Sequence, residues 1–155
     1  MTYFYSLLAL TIGLVVPLQA AINHQLKAVI GHSTVLAALV SFSVGTLALL
    51  CIALATGQKL SALFELPKAE PWMLIGGLLG ALFVFGTTLL APKLGAATML
   101  SLIITGQIIA SMLFDRFGWL AMPIKEISWP RLLGAGLVII GVLLVNFGHE
   151  WFKVK

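Results

Sequence analysis

Few side chains in this sequence could do chemistry, and those that could stand in helical register. Gln19 and Asn23 are four residues apart, so a helix stacks them on one face. Gln107, Ser111 and Asp115 repeat that spacing, and Thr98, Ser101 and Thr105 form a second stripe on roughly the opposite side. Each carboxamide has two donors and an oxygen acceptor, enough to hold a polar solute without a buried fixed charge. The Ser and Thr hydroxyls have a simpler use, a bond to a carbonyl of their own helix. Gln107 does not, because a helix backbone cannot fill its bonding sites. Gln19, Asn23, Gln107 and Ser111 are therefore the candidate solute-binding residues. Asp115 and His24 are the candidate gate or proton site, and the alternative for Asp115 is an interfacial pair with the adjacent Arg116. His24 and His32 lack a second pair of ligands, so no metal site is expected.

Absences narrow the class. The sequence has no GxxxxGK[ST] loop, HExxH or GxSxG motif and no paired carboxylates, so neither an enzyme nor a cofactor is expected. No carboxylate falls in the middle of an apolar stretch, where it could exchange protons.

These residues sit in a chain that is 61% hydrophobic and 9% charged over 155 residues, with mean hydropathy +1.12. Soluble domains are about 45–50% apolar and about 25% charged. The composition therefore demands an all-α integral membrane protein, partnered by the lipid bilayer and not by nucleic acid. Its 9 Lys and Arg against 5 Asp and Glu lie between apolar runs, where headgroups account for them. Cys51 lies in an apolar run, so no disulfide is implied. The start does not read as a cleaved signal, because no cation precedes a long apolar run.

Five membrane-length helices are expected, at about 3–26, 35–56, 71–90, 96–114 and 129–147, in one membrane domain spanning 1–155. Ser33 or Thr34 caps the second, Pro71 opens the third, and Ser128 caps the fifth. Residues 91–95 would join the third and fourth helices as a tight hairpin. Leu60, Leu63 and Phe64 suit a short amphipathic turn on the membrane surface. Trp72, Trp119, Trp129 and Trp151 fall near span ends, as an aromatic belt requires. In the first helix Pro17 withholds an amide hydrogen from the Gly13 carbonyl, which predicts a kink or a locally open turn there. That bend with Gln19 and Asn23 reads either as a polar clamp between helices or as a broken helix lining a transport cavity. Small residues (Ala37, Ser41 and Gly45; Gly76 and Gly80; Gly134 and Gly141) form ridges that suit tight helix packing.

Orientation is nearly undetermined. With five spans, the N-terminal side receives Lys59, Lys68, Arg116, Lys125 and Arg131, and the other side Lys27, Lys93, Lys153 and Lys155. The richer side normally stays cytoplasmic, but this difference is one charge. The expectation is a chain that inserts both ways or awaits an oppositely oriented partner; otherwise topology is set by something besides charge.

The runs GLVVPLQAAINHQL, AALVSFSVGTLALL, GGLLGALFVFGTTLLAPKLGAATM, TGQIIASMLFDRFGWL and RLLGAGLVIIGVLL carry more than hydrophobicity. In their polar, Gly and Pro positions the chain resembles the five-span inner-membrane family of YdcZ-type exporters, within the drug/metabolite transporter superfamily. The resemblance implies that Pro17, Gln19, Asn23, Phe42, Gly45, Pro92, Gly95, Gln107, Asp115 and Gly118 are motif positions. Thr105 departs from it, since a small residue is expected there. The resemblance also implies half of a ten-helix inverted-repeat transporter in a bacterial inner membrane. The expected function is alternating-access export of a small solute by an antiparallel homodimer, or with a homologous five-span partner. Gly13, Pro17, Phe42, Gly45, Gly76, Gly80, Pro92 and Gly95 would serve as hinge and packing positions. The alternative is a non-transporting membrane subunit or assembly factor.

Overall fold

The computed structural model describes residues 2–151, and these are helical with no strands among them. Lys153 and Lys155, counted in the charge balance, lie outside the described residues. Five long helices, α1 (Thr2–Val29), α2 (Thr34–Ala55), α3 (Ile75–Leu94), α4 (Ala96–Phe117) and α5 (Trp129–Trp151), each provide a stretch long and apolar enough to cross a membrane. Two compact units result, one from α1 to α3 and one from α4 and α5.

In the first unit, α1 and α2 form a helical hairpin through a tight turn. Gly31 (φ 69°) and His32 (φ 58°) take left-handed backbone there, and the Ser33 hydroxyl accepts from Leu36 N–H at 3.2 Å as the N-cap of α2. Pro17 does not open α1, which runs as one helical stretch through it. The link from α2 to α3 is a 3₁₀ helix over Leu60–Lys68, then a second over Pro71–Leu74 with Pro71 in its first turn. Phe64 there is exposed, and Lys68 pairs with Glu65.

α3 extends four residues past the expected stop and takes Pro92 into its last turn, so Gly95 (φ 80°) alone separates it from α4. A proline this near the helix end removes one donor and leaves the turn otherwise intact. Of the small-residue ridges, Gly80 lies against its neighbour: a Cβ there would stand 3.4 Å from the Phe42 ring. At Gly45, Gly76, Gly134 and Gly141 nothing lies within 4 Å of such an atom.

The second unit is an antiparallel pair. Asp115 near the end of α4 meets Arg131 in the first turn of α5, and the Asn146 amide donates to the Ser101 hydroxyl at 3.3 Å. The connection folds back on the end of α4. Gly118 (φ 61°) caps that helix in the left-handed region, Trp119 stacks on Phe117, and Lys125 N–H donates to the Asp115 carbonyl at 2.8 Å.

Little apolar surface is buried within the chain. Among the described residues the buried apolar ones are Ala20, Ala37, Ala38, Val84, Met99 and Val142, while most Leu, Ile and Phe side chains point outward. A soluble protein does not expose apolar surface on this scale.

Candidate solute site

Each group of sequence-selected residues is held in its own unit. In the first, Gln19 lies half-buried in a cavity of about 190 Å³ with Ser41, Phe42, Gly45, Thr46 and Val84, so α1, α2 and α3 all contribute. The Gln19 amide and the Ser41 hydroxyl are not hydrogen-bonded within the described chain, whereas the Thr46 hydroxyl donates to the Phe42 carbonyl at 2.8 Å. Gly45 keeps this wall low, since any side chain there would fill open space. One turn further along α1, Asn23 is buried and its amide nitrogen has no partner. His24 is exposed. The helical spacing of four thus brought Gln19 and Asn23 to one face as expected.

In the second unit Gln107 and Ser111 line a groove of about 400 Å³ between α4 and α5, with Arg131 at one end and Ile104, Ile108 and Val138 along its walls. The Ser111 hydroxyl donates to the Gln107 carbonyl at 2.7 Å, so it retains only acceptor capacity for a solute. Ser101 and Thr105 likewise bond carbonyls within α4.

Asp115 is buried and bonded to Arg131, not to the adjacent Arg116, which is exposed. Successive helical residues point about 100° apart and cannot face one another, whereas the α4–α5 hairpin brings a residue sixteen positions away to the carboxylate. Among the described residues no three His, Cys, Asp or Glu side chains gather where a metal could bind.

Three residues matter here that the spacing argument did not select. Arg131 entered only as a loop charge, although it follows Pro130 at a helix start, where its side chain can reach back to the preceding helix end. Asn146 is a lone carboxamide in an apolar run, the same signal that singled out Gln107. Thr88 is fully buried with its hydroxyl unpartnered, and only its place four residues before Pro92 marks it in the sequence.

Compared with known proteins, residues 4–144 match the family described as "Putative inner membrane exporter, YdcZ". Over 74 residues the chain is 35% identical to the "Inner membrane protein YdcZ" of Escherichia coli (strain K12), a match covering 48% of this chain and 49% of that protein. The chain thus spans about half the length of the curated relative it matches. No solved structure matches it.

Proposed function

The chain belongs to the YdcZ inner membrane exporter family, and from that premise we propose that it is a secondary transporter that exports a small polar solute by alternating access. It is a multi-pass inner membrane protein with five apolar helices. The observation that carries the transport reading is the Gln19 cavity. An amide and a hydroxyl without internal partners line a hollow among three apolar helices, which is expensive in lipid unless a solute or water uses them.

In this reading the working unit is an antiparallel dimer, of two copies or of this chain with a homologous five-span partner. Gln19, Asn23 and Gln107 of each chain face the transported solute, as amides that bind without a buried charge. The Gly13–Pro17 step, where the helix lacks one backbone bond, acts as the hinge. The outward-facing Leu, Ile and Phe side chains support the reading, since they leave ample apolar surface for lipid and for a partner.

The test is transport into inside-out vesicles of a panel of labelled neutral and charged metabolites. Solute accumulation that Gln19→Leu and Gln107→Leu each abolish, in proteins that still fold, is the expected outcome. Accumulation unchanged in both variants removes these residues from the site.

The second reading is a non-transporting subunit whose polar residues are clamps between helices. The bond from Asn146 to Ser101 favours it in the second unit. Under it, changes at Gln19 and Asn23 lower stability and nothing else.

A further inference from the structure

We propose that Asn23 and Thr88, each one helical turn beyond a residue that lines the Gln19 cavity, form a hydrogen-bonding site for one uncharged polar group, a hydroxyl or a carboxamide of a small solute. The proposal deepens the transport reading and rests on it for the solute's being cargo.

Among the described residues, these two carry the first unit's orphaned buried polar atoms. The Asn23 amide nitrogen and the Thr88 hydroxyl are both sealed from solvent, on residues 3% and 0% exposed, and neither has a hydrogen-bond partner. An orphaned buried group of this kind costs about 1–3 kcal/mol. Thr88 is deprived twice. Thr87 already donates to the Val84 carbonyl at 3.1 Å, the acceptor four residues back that a helical threonine ordinarily uses. Pro92, four residues on, has no N–H to give the Thr88 carbonyl.

Helix register puts the two residues at a similar depth. Gln19 on α1 and Val84 on α3 line the same cavity. Asn23 and Thr88 follow them by four residues, on the same face of each helix. As first and third spans, α1 and α3 cross in the same sense, and each residue lies six positions, about 9 Å, before its helix ends at Val29 and Leu94. Because both groups are already enclosed by their own chain, the surface of a second subunit cannot reach them. A partner from outside the chain must therefore be small enough to enter between the helices.

The chemistry selects its class. The Asn23 amide offers hydrogens, the Thr88 carbonyl accepts, and the Thr88 hydroxyl can do either. A hydroxyl or carboxamide accepts from the first and donates to the second. A carboxylate has no hydrogen for the carbonyl, and an ammonium has no lone pair for the amide. No charged side chain lines the Gln19 cavity. The nearest charge along this face of α1 is Lys27, one turn beyond Asn23.

The test measures thermal unfolding of the full chain in lipid nanodiscs with acetamide, glycerol, acetate or methylammonium added. Acetamide and glycerol should raise the wild-type midpoint and should fail to raise that of Asn23→Leu or Thr88→Val. Thr88→Ser, which keeps a hydroxyl, should regain the rise. Without solute, both apolar variants should unfold at or above the wild-type temperature, because each removes an orphaned group. Three results overturn the proposal: no wild-type rise or one equal in the variants, a rise only with acetate or methylammonium, or solute-free variants less stable than wild type. Vesicle transport read in parallel separates the two readings. Solute-dependent shifts without transport remove the exporter and leave the site, whereas transport indifferent to Thr88→Val removes the site and leaves the exporter.

Discussion

At Gly118 two constraints fall on one residue. Its backbone is left-handed (φ 61°), and a Cβ would stand 2.7 Å from Ile124 Cγ1. Left-handed backbone costs a side-chain-bearing residue about 1–2 kcal/mol before the overlap is counted. Gly118→Ala should therefore lower unfolding stability in mixed micelles by about 2 kcal/mol, and an unchanged midpoint would show that the loop relaxes. Asp115 poses a different question, whether it latches or titrates. Its bond to Arg131 ties the last turn of α4 to the first of α5. If it only latches, Asp115→Asn lowers stability by about 1 kcal/mol, a modest figure because Arg131 is partly exposed, and leaves the pH profile of transport in place. A displaced pH profile would make Asp115 the proton site.

Among the elements, α1 is the one whose sequence and conformation pull apart. Pro17 denies the Gly13 carbonyl its donor, yet the helix is unbroken across it. Pro17→Ala supplies that N–H and should raise the unfolding midpoint, an interior proline costing up to about 3 kcal/mol. If this step is the hinge, the same change slows transport while solute-induced stabilisation persists. Faster or unaltered transport would remove Pro17 from the moving parts. α4 and α5, by contrast, are tied at both ends, through Asp115 with Arg131 and Ser101 with Asn146.

At the scale of the whole molecule, the dominant fact is how little the chain encloses. Among the described residues few apolar side chains are buried, and every long helix turns Leu, Ile, Val or Phe side chains outward. Lipid covers such surface adequately, but the near-balanced Lys and Arg count of its two sides leaves the chain without a strong orientation signal. A single cysteine placed at either terminus of a Cys51→Ala protein, labelled from outside intact cells, decides the matter. Labelling of each terminus in about half the molecules is expected for the antiparallel homodimer. Labelling of one terminus alone rejects it and turns the search to an oppositely oriented partner.

Sequence alone determined that this is a membrane protein of five spans, because a run of twenty apolar residues has no other stable home. It also determined that Gln19 and Asn23 share a face, since four residues are close to one helical turn. Ser111 was legible in part: its register placed it beside Gln107, and the preference of helical hydroxyls for their own carbonyls foretold the bond it makes. The partner of Asp115 was not legible, because a side chain's neighbours across a hairpin depend on where the loop turns. That loop turns on Gly118 and the backbone bond from Lys125. Nor was the continuation of α3 through Pro92, where the helix that runs up to the proline from Ile75 outweighs one missing donor. Thr88 escaped for a related reason. Whether a buried hydroxyl finds a carbonyl is settled by which neighbour reaches it first, and here Thr87 does.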